Sequence, residues 1–190
     1  MKQLPRLMMI AAGLALLTLF VFPLWRITLN APQYPEGVTM YIYINKIGGN
    51  SPGTLQNVNI LNHYVGMKKI EPDSIPELKF FPYIVVAMAI LAFAAAFLNR
   101  PWAFLSWTIL MIILGIAGIY DFYLWEYDYG HNLSDNAPIK IPGASFQPPL
   151  FGSKVIVNFL AKSYPHVGGI FAGLSILLGM GAWWLKKRQS

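Results

Sequence analysis

Four apolar runs divide the chain, and two long polar segments separate them. Residues 7–24, 80–98, 102–120 and 165–185 contain no Asp, Glu, Lys or Arg. Each approaches the ~20 residues that an α-helix needs to cross a bilayer. The pattern predicts transmembrane helices at about 7–25, 80–98, 102–122 and 165–185. Only Asn99, Arg100 and Pro101 join the second to the third, so those two must form an antiparallel hairpin. The polar segments, about 26–79 and 123–164, then fall on one side of the membrane.

Finer patterning lies inside the polar segments. Val38 to Ile47 alternates Val38, Met40, Ile42 and Ile44, a strand signal. Gly48 to Gly53 is turn chemistry. Leu55, Val58, Leu61 and Val65 recur at helical spacing and predict a short helix stopped by Gly66. Pro72 and Pro76 make 68–79 an extended link. Pro138, Pro142, Pro148 and Pro149 exclude a long helix from the second segment. Over 152–162, Val155, Ile156, Phe159 and Leu160 form one apolar face, with Lys154 and Lys162 off it. That predicts a helix lying in the membrane interface. The expected fold is a mainly α membrane protein, one domain over 1–190. It is a four-transmembrane-helix bundle whose two periplasmic loops, the first with a short strand and helix, pack as a small cap.

Composition agrees with a membrane protein. The chain is 56% apolar and 12% charged, against about 25% charged in soluble domains. A net charge of +6 raises nucleic acid as a partner. The distribution excludes it. Lys2, Arg6, Arg100, Lys186, Lys187 and Arg188 flank apolar runs, whereas all eight acidic residues sit in the polar segments or at their edges. This is a topology signal: a multi-pass membrane protein with both termini cytoplasmic and both loops facing outward, towards the periplasm if the membrane is the inner membrane of a Gram-negative bacterium. No small-x-small cleavage site follows the first run, so an uncleaved helix is expected, anchored by Trp25 and Arg26. The absence of Cys excludes disulfides, thiolate metal sites, iron–sulfur clusters and covalent haem. No histidine falls mid-membrane, which argues against haem held between helices. The common nucleotide-binding, hydrolase and zinc-protease motifs are absent, and no catalysis is expected.

Two constellations carry candidate chemistry. His63 and Met67 stand four residues apart, close enough to share a helix face. Imidazole suits several transition metals, and a thioether selects Cu(I). The plainer reading is a helix-capping histidine beside a packed methionine. The second group is Asp121, Glu126, Asp128 and His131, interleaved with Tyr120, Phe122, Tyr123, Trp125, Tyr127 and Tyr129. These carboxylates can bind metal or handle protons, with Asp128 orienting His131. They read equally as a solvated acidic loop with an interfacial aromatic belt. The Gln147-Pro148-Pro149-Leu150 stretch reads as a rigid surface loop, and His166 as a hydrogen-bonded residue at the start of the last span.

A longer pattern runs through these residues. Asp121-Phe122-Tyr123, Glu126 to Asn132, Ala137 to Gly143 and Gln147 to Leu150, with Leu61 to Met67 and Ile75-Pro76-Glu77, resemble a small membrane-protein family. That family is found beside nitrous-oxide-reductase maturation components in bacteria of the Bacteroidetes type. The resemblance covers about 42–171. It implies a place near copper-site assembly or electron supply for a periplasmic reductase, by association rather than chemistry. It favours copper over other metals at His63, Met67 and His131, with Asp121, Glu126 and Asp128 as supporting or proton-handling groups. The expected function is accessory: holding or delivering copper for a periplasmic copper enzyme. The partners would be the bilayer and a membrane or periplasmic protein of the maturation system. The alternatives are a metal-free docking subunit, whose histidines would lie apart, and a quinol-linked electron-transfer component using Asp121 or Glu126.

Overall fold

The computed structural model describes residues 3–140, 145–156 and 158–189. Lys2 and residues 141–143, used in the sequence pattern, lie outside the described residues. The chain forms a helical bundle joined end-on to a β-sheet module. In chain order the elements are α1 (Leu4–Leu17), β1 (Trp25–Ala31), β2 (Tyr34–Ile42), β3 (Ile47–Gly49), α2 (Thr54–Val65), α3 (Glu77–Leu98), α4 (Pro101–His131), β4 (Gly152–Ile156), β5 (Phe159–Pro165) and α5 (Val167–Lys187).

The expected fold of four spanning helices, mainly α, is corrected on two points. First, among the described residues three helices are long and apolar enough to cross a membrane: α3, α4 and α5. The first apolar helix covers only Leu4–Phe20, including a closing 3-10 turn at Thr18–Phe20. At 1.5 Å per residue that is roughly 25 Å, short of the ~30 Å hydrocarbon core. Pro23 cannot continue the helix, and the chain enters β1 at Trp25. Second, the cap is built on a five-stranded antiparallel sheet in the order β3-β2-β1-β5-β4. The expected interfacial helix at 152–162 is the β4–β5 hairpin, with Val155 opposite Leu160 and Ile156 opposite Phe159. Short apolar runs with β-branched residues satisfy both periods, and here the strand wins.

The bundle core is made of small residues. Ala12, Ala89, Ala92, Ala95, Ala96 and Ala182 are buried with Met9, Leu16, Phe104 and Trp107. Small side chains let helix backbones approach closely. Ser175 donates to the Ala12 carbonyl at 3.1 Å, and Trp107 Nε1 donates to the Met88 carbonyl at 2.9 Å, tying α5 to α1 and α4 to α3.

α4 joins the two modules. Its 31 residues extend roughly 47 Å, so the last ten or so rise beyond the ~30 Å that a bilayer core takes. The loop expected from 123 is therefore helical as far as His131. On this extension Phe122, Trp125 and Tyr129 pack on the sheet. Tyr120, Tyr123, Leu124 and Tyr127 are exposed on the other side. An aromatic ladder follows the inner face: Trp25 to Phe122 at 5.6 Å, Phe122 to Trp125 at 6.3 Å, and Trp125 to Tyr129 at 4.4 Å between ring centres.

Candidate functional site

The inner face of the α4 extension meets the sheet and α2. Alternation in β1 turns Ile27, Leu29 and Ala31 inward, and register places Met40 of β2 opposite Ile27 and Val38 opposite Leu29. From α2, Val58, Asn62 and Val65 complete the layer. Gly66 ends α2 in the left-handed conformation at φ 81°, and the Met67 N–H donates to the Asn62 carbonyl at 2.9 Å. The chain then doubles back along α2 as an extended segment.

That returning segment is clamped. Asn59 makes a two-way bond with the Ile70 backbone: Ile70 N–H to Oδ1 at 2.7 Å and Nδ2 to the Ile70 carbonyl at 3.1 Å. Asn62 Nδ2 donates to the Lys68 carbonyl at 3.3 Å, and Tyr129 OH donates to the Lys69 carbonyl at 3.3 Å. Lys68 Nζ reaches Asp128 Oδ2 at 2.6 Å. Asn59 and Asn62 were not among the expected site residues; the signal that could have marked them was two amides about one turn apart on a short helix followed by a glycine.

Behind this segment lies a small cavity of about 40 Å³. Its walls include Ile27, Met40, Val58, Met67 and Trp125, and it contains Glu126. The Glu126 side chain is 1% exposed, and neither carboxyl oxygen has a hydrogen-bond partner among the described residues. Burial pushes its pKa up to about 8, because an apolar surrounding disfavours the charged form. Glu126 was expected in a loop among aromatics. It stands instead four residues after Phe122 and three before Tyr129, in phase with the buried face of α4. An acidic residue in phase with an apolar helix face was the signal that could have marked it.

On the far side of the 67–70 segment is an open groove of about 970 Å³, where His63, Tyr64 and Met67 face Lys69, Glu71 and Asp73. Met67 and Ile70 line both hollows. His63 and Met67 thus open onto one space. His131 does not line it. Its ring stacks on Tyr127 at 4.0 Å, and Nδ1 contacts the Tyr127 carbonyl at 3.0 Å. The expected Asp128–His131 pairing is absent: Asp128 engages Lys68 and Asn132 instead. Those bonds, Lys68 first, hold its carboxyl below the usual carboxylate range. Asp121 is half-buried where α4 begins to leave the bundle, near the like charge of Glu77. At the start of α5, His166 packs its ring on Tyr41 at 5.3 Å, and its Nδ1 has no partner among the described residues.

Among the described residues no three His, Asp or Glu side chains converge as a metal-binding group. In the groove the imidazole of His63 shares a space with one thioether, Met67, and with the carboxylates of Glu71 and Asp73; the imidazole and thioether are the pair that suits a soft cation. No protein-family model matches the chain, and no curated protein matches it.

Proposed function

We propose that this is an accessory membrane protein that holds Cu(I) on a membrane-anchored cap for delivery to a copper enzyme. The observation that carries the reading is that His63 and Met67 open onto one groove. Two soft ligands suffice for a cation that must leave again, and the groove admits a partner. Arg6, Arg100, Lys186, Lys187 and Arg188 lie at the helix ends remote from the sheet, which supports a cytoplasmic bundle end and a periplasmic cap in a bacterial inner membrane. The resemblance noted above favours the nitrous oxide reductase maturation system as the recipient. His131 has no part in the groove and drops out of the ligand set.

The test is metal content of the full-length, detergent-purified chain after anaerobic Cu(I) loading. Near-stoichiometric copper is expected in the wild type and in His131→Ala. The double variant His63→Ala, Met67→Ala should lose it, and His63→Ala alone should load more slowly. A wild type that takes up no copper would overturn the reading. The metal-free docking subunit would then replace it, a reading favoured by the separation of His131 from the groove and by the dense aromatic packing of the cap.

A further inference from the structure

Met67 is a shared wall. On its outer side is the groove with His63; on its inner side is the cavity with Met40 and Glu126. Met40 is 3% exposed on β2, and Val58, Ile27 and Leu29 fill the space around it. A second thioether and a carboxylate without hydrogen-bond partners therefore stand directly behind the groove.

We propose that this inner cavity is a binding site for a soft monovalent cation, Cu(I) or Ag(I), held by the thioethers of Met40 and Met67 and the carboxylate of Glu126. The inference rests on the copper-handling reading and adds a second station to it. The chemistry is specific. Calcium and magnesium need about six or more oxygen ligands, and the side chains lining the cavity offer only the Glu126 carboxylate, the Asn62 amide and the Tyr129 hydroxyl. Thioethers select Cu(I). The ion takes the place of the carboxyl proton, which is released, so one carboxylate matches one positive charge and the occupied cavity carries no net charge, which an apolar site requires. The volume, about 40 Å³, exceeds that of a single water site and is far below the 300 Å³ or more of an organic ligand pocket. Trp125 and Tyr129 line the cavity with aromatic rings, side chains compatible with a bound cation. Unbranched Met side chains can close on the ion without moving the backbone. Met67 supplies the route, since an ion bound in the groove already touches a ligand of the inner site.

The experiment is an anaerobic Ag(I) titration of the full-length protein in detergent, followed by tryptophan fluorescence and by bound silver. Trp125 lines the inner cavity, whereas no Trp lines the groove. Quenching is expected on binding, and Trp125→Phe should lose most of it while keeping the bound silver. Met40→Leu and Glu126→Gln should each weaken binding at least tenfold. Both are near-isosteric, and thermal melts establish that they fold. Silver bound with full affinity by Met40→Leu and Glu126→Gln would overturn the inner site and leave the groove reading intact. A wild type that binds neither silver nor copper would overturn both.

Discussion

Glu126→Gln should change how stability depends on pH. In the folded chain the Glu126 carboxyl ionises at about 8, against 4.5 in the exposed state. Between those values the folded chain binds one proton more than the unfolded chain. Stability must then fall as pH rises, by about 1.4 kcal/mol per pH unit. The contribution is fully present below pH 4.5, is lost progressively, and is gone above pH 8. Over the whole window it comes to roughly 4–5 kcal/mol, a large share of the 5–15 kcal/mol that holds a typical domain. Glutamine is neutral throughout and has no such slope.

The assay is thermal or denaturant unfolding in detergent at pH 5, 6, 7 and 8, with chelator present. Other groups titrate in this window. Burial, then Arg26, depress the pKa of His166, so its contribution makes stability rise with pH. Both proteins carry His166, and the difference between the two profiles isolates Glu126. Tyr129, the other titratable group lining the cavity, is pushed up by burial from 10 and stays neutral throughout. The two chains should unfold close together at pH 5, with Glu126→Gln increasingly the more stable up to pH 8. Parallel profiles would refute the reasoning, and would mean that the carboxyl is solvated or paired.

Three further outcomes follow from the packing of the cap. A Cβ on Gly130 would strike the Gln147 backbone, where the Phe146 N–H bonds the Gly130 carbonyl; Gly130→Ala should cost about 1–3 kcal/mol in unfolding assays. Asp128→Ala removes an exposed ion pair and should cost about 1 kcal/mol or less, leaving the His131 ring stacked on Tyr127, as aromatic NMR shifts would report. Asn59→Ala removes both bonds to the Ile70 backbone; at about 1 kcal/mol each, hydrogen exchange at Ile70 should accelerate tenfold or more, while unchanged protection there would show that other groups hold the segment.

The bundle was legible where apolar runs are uninterrupted. Expected spans at 80–98 and 165–185 correspond to Glu77–Leu98 and Val167–Lys187. The helix expected from Leu55 to Val65 is present as Thr54–Val65, ended by Gly66. Hydropathy failed where an element continues into a different solvent. Apolar residues after Thr18 belong to a 3-10 turn and a bend leading to the sheet, although they read as more helix. In α4 the aromatic and acidic residues after Asp121 read as a loop, because a helix leaving the bilayer exchanges an all-round apolar surface for a one-sided one. The β4–β5 hairpin was hidden because Lys154, Val155, Ile156, Phe159, Leu160 and Lys162 satisfy both periods. Pairing of β5 with β1, from Asn30 opposite Leu160 to Trp25 opposite Pro165, decides between them, and local pattern carries no trace of it. The candidate ligands split for the same reason. His63 and Met67 are local neighbours and stay together, whereas His131 lies on a different element whose direction was not readable.

The polar groups around Glu126 give its isolation a meaning. Asn62 lines the same cavity, yet its amide bonds the Lys68 carbonyl; Tyr129 also lines it, yet its hydroxyl bonds the Lys69 carbonyl. Asn59 secures Ile70, and Asp128 secures Lys68. Four side chains from two helices thus converge on three consecutive residues, 68–70, and none hydrogen-bonds the carboxyl behind them. A fold under pressure only for stability would satisfy that carboxyl with the nearest amide or replace it, because a buried polar group without a partner costs free energy. Here the hydrogen-bonding capacity goes to fixing the segment that carries Met67 between groove and cavity. In the proposed cation site, the fixed wall and the empty-handed carboxyl behind it would be two parts of one arrangement: the wall would set where a cation passes, and the carboxyl would supply the charge that holds it.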